Sequence, residues 1–355
     1  MSGRILVTGG AGFVGANLSV ALAGRDLERD VIAFDNLKRR GSELNLPRLR
    51  EAGVRFVHGD VRSPSDLEAI GVIDALVECS AEPSVMAGVD GGTEFVVHTN
   101  LLGAYNCLEL ARRHGAAFVF LSTSRVYPTG PLNELRYEEG ESRFELIDEQ
   151  PYPDASSRGI AEKFPLEGHR TLYGATKLGA ELLIHEYVEA FGLRAVIDRC
   201  GVIAGPWQMG KVDQGVFTHW MVSHQLGREL AYIGYGGQGK QVRDMLHPDD
   251  LVDLIEKQLA SPAEWSGATL NVGGGPGCSL SLREATDICA ELTGRTVPIR
   301  SEPENRAGDI PIYVSDCGRL FDRSDWRPAR GSRQIMEDIF EWVREHEGAL
   351  RTALA

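Results

Sequence analysis

The sequence predicts an α/β protein: a doubly wound parallel sheet with a smaller C-terminal mixed α/β lobe. Three observations predict it. Strand-like and helix-like segments alternate through the first half of the chain. A glycine-rich turn, Gly9-Gly10-Ala11-Gly12-Phe13-Val14-Gly15, lies between the first strand-like and the first helix-like segment. Beyond about residue 205 the alternation gives way to Gly-rich loops between helices.

Taken in order, residues 4–8 are a short apolar run that ends at glycines, and residues 16–23 have helical character. Residues 31–35, 54–57, 75–79 and 117–121 read as strands, and residues 101–113 as an amphipathic helix. This alternation implies βαβ units and a parallel sheet covered by helices. Residues 128–170 are rich in Pro, Glu, Ser, Gly and Arg with little periodicity. A loop of that length inside a compact domain is usually functional or mobile. A helix is expected over 174–190, a strand over 195–200, and further helices over 248–259, 281–292 and 332–345.

The bulk numbers bound the function. With 355 residues, 43% of them apolar, the chain can bury one large core or two unequal ones. A net charge of −14 argues against a general nucleic-acid binder, although local Arg and Lys can still bind an anionic ligand. No apolar run approaches the ~20 residues needed to span a bilayer. The opening run Ile5-Leu6-Val7 is too short for the core of a signal peptide, so a cytoplasmic protein is expected. None of the six cysteines forms a CxxC pair and no Cys/His spacing resembles a zinc site. Reduced, buried thiols and no metal are expected.

The glycine turn supplies GxxGxxG directly after a strand and before a helix. Glycine permits the tight turn and lets backbone approach a pyrophosphate, and the free N–H groups of the helix start can bind its oxygens. Gly9, Gly12, Phe13, Val14 and Gly15 are the candidate residues. Asp35 ends the second strand twenty residues after Gly15. A carboxylate there accepts from an adenine-ribose hydroxyl and repels a 2′-phosphate, which favours NAD over NADP. Lys38, Arg39 and Arg40 lessen that preference. His58-Gly59-Asp60-Val61 resembles the segment that sets an Asp and a neighbouring amide against the adenine in dinucleotide-binding enzymes of this kind, and Asn36, Ser80 and Asn100 complete the cofactor set which that likeness implies. On this reading residues 1–200 form an NAD-binding Rossmann domain and residues 201–355 mainly a substrate-binding lobe, with the chain free to cross between them.

Tyr173-Gly174-Ala175-Thr176-Lys177 is a YxxxK pair at the start of an expected helix, so both side chains project from one face. A phenol titrates near ~10 and must lose its proton to act as a base near neutrality. The Lys177 ammonium and an oxidised nicotinamide both favour the phenolate. Ser122-Thr123-Ser124-Arg125 closes the fifth strand, where hydroxyls face the crevice in which open α/β sheets bind ligands. Tyr173 and Lys177 are therefore catalytic candidates, and Thr123 joins them by its likeness to the strand-end hydroxyl of dehydrogenases with this ordered set of motifs. YxxxK alone recurs by chance. The ordered set of glycine turn, Asp35, Thr123 and Tyr173/Lys177 is the stronger signal.

These motifs resemble the extended short-chain dehydrogenase/reductases that act on nucleotide sugars. Phe34-Asp35-Asn36-Leu37, Phe56-Val57-His58-Gly59-Asp60, Gly205-Pro206-Trp207-Gln208 and Asp213-Gln214-Gly215 are similar to the CDP-tyvelose (CDP-paratose) 2-epimerase branch. So are Gly239-Lys240-Gln241-Val242-Arg243-Asp244-Met245-Leu246-His247, Leu270-Asn271-Val272-Gly273-Gly274 and Ser279-Leu280-Ser281-Leu282. The resemblance covers nearly the whole chain and implies a mechanism. Tyr173 would deprotonate the sugar C2 hydroxyl while hydride passes from C2 to NAD. The 2-keto sugar would turn over in the site and receive the hydride on its other face, so NAD would stay bound throughout. Thr123 would orient the hydroxyl and Arg243 would fork onto the diphosphate. Arg306, Gln208, Gln214 and Arg125 are further substrate candidates, and the family implies a homodimer or homotetramer.

The sequence also departs from that pattern. Glu78 stands where many relatives carry His, Val202 where many carry Asn, and Pro128 where Gly is usual; Arg125 also departs beside Thr123. A 4-epimerase uses the same base and cofactor on another carbon and stays open. A 4,6-dehydratase is disfavoured, because Thr123 is followed by Ser124-Arg125 and not by Asp-Glu. A decarboxylase, a reductase and a non-catalytic NAD-binding protein complete the alternatives.

Overall fold

The computed structural model describes residues 3–26, 29–89, 91–210 and 214–353; Asp213 of the Asp213-Gln214-Gly215 stretch lies outside them. The chain divides into two compact units. One comprises Met1–Val126, Thr171–Arg199 and Pro248–Leu270, and the other Tyr127–Arg170, Cys200–His247 and Asn271–Ala355.

The first unit is built on a seven-stranded sheet. Its strands are β1 (Arg4–Thr8), β2 (Asp30–Asp35), β3 (Arg55–His58), β4 (Ala75–Glu78), β5 (Ala117–Thr123), β6 (Ala195–Cys200) and β7 (Thr269–Val272), in the order β7-β6-β5-β4-β1-β2-β3. β1 pairs in parallel with both β2 and β4, so the connectivity reverses direction at β1. Every residue of β4, β5 and β6 is buried, as expected for strands covered on both faces. The strand order, the parallel pairing and the flanking helices give the doubly wound fold that the alternating sequence predicts.

The helices of this unit begin and end where side chains and backbone permit. α1 (Phe13–Arg25) starts at Gly12 without a side-chain cap. α2 (Gly103–His114) ends at left-handed Gly115, with Arg112, Arg113 and His114 complementing the carbonyl end of the helix dipole. α3 (Leu172–Phe191) is capped by the Thr171 hydroxyl, which accepts from the Gly174 amide at 3.3 Å, and ends at left-handed Gly192. α4 (Pro248–Ala260) is tied to α1 by Arg25, which reaches Asp253 at 2.7 Å and Glu256 at 2.5 Å. Leu6, Ile32, Leu76, Phe118, Ile184 and Ile197 belong to one core cluster of sheet and helix residues.

The second unit carries a mixed four-stranded sheet. Val242–Leu246 pairs in parallel with Val202–Ile203 and Ile312–Tyr313, and antiparallel with Ser279–Ser281. Helices Val216–Leu226, Leu282–Thr293 and Ser332–Glu345 belong to the same unit; the second opens on a Ser281/Glu284 capping box.

Three details differ from the sequence reading. The 128–170 stretch is not one loop: it contains helix Thr129–Asn133, the hairpin Tyr137–Glu139/Phe144–Leu146 and the small pair Ala155–Ser156/Gly159–Ile160. Phe144 is buried with Val242, Ile312 and Val314, so tertiary packing orders a segment whose composition reads as loop. Helix Val216–Leu226 and strand Val242–Leu246 are additions to the elements that the sequence predicts. Five cysteines are buried and unpaired as expected, but Cys79, also unpaired, is only half-buried.

Candidate active site

The glycine turn is shaped by its own backbone. Gly9 adopts a left-handed φ of 62°, the Gly12 amide donates to the Gly9 carbonyl at 2.9 Å, and the Gly10 amide donates to the Phe34 carbonyl at 3.0 Å. A Cβ on Gly15 would lie 2.2 Å from the Gly9 carbonyl oxygen, and one on Gly10 would lie 2.6 Å from the Ala33 Cα. The uncapped start of α1 then leaves the amides around Phe13 and Val14 with no side-chain acceptor from the N-cap residue. Asp35, at the end of β2, braces this turn: Oδ2 accepts from the Ala11 amide at 3.1 Å and Oδ1 from the Leu37 amide at 2.8 Å. Burial pushes its carboxyl above the usual range, and these amides oppose the shift.

Asn36 and Asp60 form a second patch, with Asn36 Nδ2 donating to Asp60 Oδ2 at 2.9 Å. Asp60 also receives the Arg62 guanidinium, at 2.9 Å from Nε and 2.7 Å from Nη2, and that bond holds its carboxyl far below the usual carboxylate range. Neighbouring Val61 is buried and meets Gly103, where a Cβ would come within 2.7 Å of its Cγ2. Ser80 is buried just beyond β4. Asn100 lies in the π-helical turn His98–Leu102; its Oδ1 accepts from the Glu82 amide at 2.8 Å, and its Nδ2 donates to the Glu82 carbonyl at 3.1 Å and to Thr176 Oγ1 at 3.3 Å. Asn100 thus ties the loop after β4 to α3. An open backbone cradle, a carboxylate at the end of β2 and an uncapped helix start fit the pyrophosphate and ribose of a dinucleotide.

Tyr173 and Lys177 share one face of the first turns of α3, where Tyr173 is half-buried and Lys177 only 2% exposed. The Lys177 ammonium sits 4.0 Å above the Phe120 ring centroid and 3.5 Å from Glu78 Oε2. Thr123 ends β5, and its hydroxyl accepts from the Arg125 amide at 3.2 Å. Arg125 is half-buried in the short 3₁₀ turn Ser124–Val126. The preceding Ser122 donates to Glu181 at 2.5 Å, within a buried network that Arg199 completes at 2.7 Å. Alternation along the strand therefore separates a structural hydroxyl from the Thr123 hydroxyl.

The remaining sequence candidates belong to the second unit. The Gln208 amide is used internally: Nε2 donates to the Ile203 carbonyl at 3.0 Å and Oε1 accepts from Thr218 at 2.8 Å. Gln214 is half-buried just before helix Val216–Leu226. Arg243, expected to fork onto phosphate, makes contacts within its own unit: Nη2 donates to the Ile310 carbonyl at 2.8 Å and reaches Asp309 at 3.4 Å, and Nη1 donates to the Val242 carbonyl at 2.8 Å. Burial lowers the guanidinium's proton affinity, Asp309 restores part of it, and nearby Arg306 lowers it further. Arg306 itself is exposed.

Residues 5–273 match the NAD dependent epimerase/dehydratase family. The chain belongs to this family. Its relatives include the CDP-paratose 2-epimerase of Salmonella typhi, 29% identical with 96% of this chain and 99% of that one aligned. The dTDP-glucose 4,6-dehydratase of Mycobacterium tuberculosis is 27% identical, with 97% and 94% covered. Among solved structures, Thermus thermophilus UDP-glucose 4-epimerase in complex with NAD is similar, with a TM-score of 0.76 and 26% identity over 96% of this chain and 99% of that one. As an epimerase/dehydratase family member the protein is an NAD-dependent enzyme, and NAD is its cofactor.

One group beside the Tyr173/Lys177 pair is not among the site residues that the sequence suggests. Glu78 stands out in the sequence only as a departure from the family pattern. It is 1% exposed, and burial pushes its carboxyl above the usual range while Lys177 opposes that shift. The available signal is a lone charge closing the otherwise apolar run Ala75-Leu76-Val77-Glu78. No group of three or more His, Cys, Asp or Glu placed to hold a metal occurs among the described residues, and no described helix is long and apolar enough to cross a membrane.

Proposed function

We propose that this enzyme inverts C2 of a CDP-hexose of the paratose/tyvelose kind. The observation that carries the reading is the near end-to-end likeness to CDP-paratose 2-epimerase, joined to a Tyr173/Lys177 pair on one helix face of the unit that carries the glycine turn. When bound, NAD supplies reversible acceptance of hydride at the sugar carbon. Gly9, Gly12 and Gly15 keep the cradle open, the Phe13 and Val14 amides face the pyrophosphate, and Asp35 accepts from the adenine ribose. Asn36, Asp60 and Val61 border the adenine, and Ser80 and Asn100 fix the loop after β4. These roles make residues 1–200 chiefly the NAD-binding part and residues 201–355 chiefly the substrate-binding part.

Tyr173 takes the proton of the C2 hydroxyl and later returns it. Lys177 supplies the positive charge that favours the phenolate, and Thr123 donates a hydrogen bond to the oxygen that becomes a ketone. In the second unit Arg243 and Arg306 are the diphosphate anchors. Arg243 would exchange backbone carbonyl partners for phosphate oxygens, which a guanidinium does readily. Gln214 and Arg125 are proposed sugar contacts; Gln208, with both ends of its amide engaged, shapes the wall and binds less directly. A cytoplasmic homodimer or homotetramer completes the proposal.

A 4-epimerase is the second reading, favoured by the likeness to UDP-glucose 4-epimerase. CDP-, GDP- and UDP-hexoses, each incubated with the enzyme and followed by NMR, separate the two. The proposal expects a new C2 epimer from a CDP-hexose. Inversion at C4 without inversion at C2 overturns it.

A further inference from the structure

A buried carboxylate lies beside the ammonium of the YxxxK pair. Glu78 closes β4 next to the point where the sheet reverses direction, in register with Thr8 of β1 and Phe120 of β5. It is 1% exposed and Lys177 is 2% exposed, so little water screens the pair. We propose that Glu78 is a positioning residue for Lys177 and the internal counter-charge that sets the pH range in which Tyr173 works as a base. The proposal rests on the reading of Tyr173 as that base.

The geometry supports holding without saturation. The contact, at 3.5 Å, is long for a charge-assisted hydrogen bond, and Glu78 Oε1 accepts no hydrogen bond. Phe120 offers Lys177 only its ring face, which attracts the ammonium without using its N–H groups as a carboxylate does. Lys177 is therefore fixed in place with donors to spare.

The surrounding groups make this pair the local source of charge. β1 presents the Thr8 hydroxyl and β5 the Phe120 ring, neither of them charged. α2 presents Cys107, whose thiol burial pushes well above its ordinary range and so keeps neutral. On the same strand end, burial also raises the Cys79 thiol, and Ser80 supplies only dipoles. α3 presents Lys177. An ionised Glu78 thus cancels much of the positive field that Lys177 offers a phenolate, and a neutral residue at 78 releases it.

Glu78→Gln keeps the shape and one acceptor oxygen while removing the charge. In the NAD-loaded enzyme, the acid limb of the kcat profile is expected to move to lower pH by about one unit, a tenfold gain on that limb. The ultraviolet phenolate band that disappears in Tyr173→Phe should shift by the same amount in a pH titration without substrate. A midpoint that stays, or moves upward, in both readouts overturns the proposal. If Glu78→Gln fails to fold, Glu78→Asp carries the test. Withdrawing the carboxylate by one methylene should lower kcat several-fold with KM unchanged, and an unchanged kcat overturns the positioning role. Tyr173→Phe separates the two readings: full activity there sinks Tyr173 as the base, whereas an inactive Tyr173→Phe beside an unshifted Glu78→Gln sinks Glu78 alone.

Discussion

In the proposed reaction Tyr173 carries the proton, and its neighbours decide whether it can. Its place in the first turn of α3 follows from the Thr171 cap, and Lys177 one turn later shares its face. Removing the phenolic oxygen removes general base and acid together, so Tyr173→Phe should lower turnover by about 10³-fold. NAD should still bind, because the glycine turn is untouched; the check is turnover measured alongside cofactor content. Asp35 is tested separately. It braces the turn through the Ala11 amide and is the proposed acceptor for the adenine ribose. Losing a charged acceptor costs roughly 1.5–3 kcal/mol, so Asp35→Ala should weaken NAD binding by about ten- to a hundredfold in a titration. Unchanged affinity removes Asp35 from the site. These residues are legible in the sequence because each belongs to a short motif with a fixed offset. Glu78 is not, since its partner lies 99 positions away and no local pattern announces the pair.

Among the elements, β6 holds a test of burial energetics. Asp198 on this strand is wholly buried and accepts from Gln258 of α4 at 2.9 Å. Burial pushes its carboxyl up to about 7, with the Gln258 bond opposing. The folded state therefore holds this proton more tightly than the unfolded chain does. The stability it contributes is full below about pH 4, falls as pH rises, and is lost above about pH 7. Asp198→Asn should match the parent at pH 4 and exceed it at pH 8 by up to roughly 4 kcal/mol, read from denaturant unfolding at both values. A gain equal at both pH values would assign the effect to packing and not to charge. The strands β1 to β6 are legible in the sequence as short apolar runs, and the helices α1 to α4 as helical stretches, of which only α2 reads as amphipathic. Val242–Leu246 is not, because Arg243 and Asp244 interrupt its apolar run, and its edges are covered by Ser279–Ser281 and Ile312–Tyr313 from far along the chain.

For the whole molecule, strand order reverses at β1, so the ends of β1 and β4 are the proposed place for the dinucleotide, and the strand–helix alternation of the chain already implies that sheet. The second unit is less legible. Its sheet joins segments distant in sequence, and its Arg243 meets carbonyls near residue 310 that no motif foretells. In the proposed reaction one carbon of the sugar, C2, gives up its hydrogen and recovers that same hydrogen on the other face, while Tyr173 handles only the hydroxyl proton. The most direct measurement follows CDP-paratose bearing deuterium at C2, incubated with the NAD-loaded enzyme in ordinary water and analysed by NMR and mass spectrometry. The proposed reaction yields the C2 epimer with its deuterium retained; a C2 epimer that has exchanged its deuterium for solvent hydrogen, or a product inverted at C4 alone, overturns it.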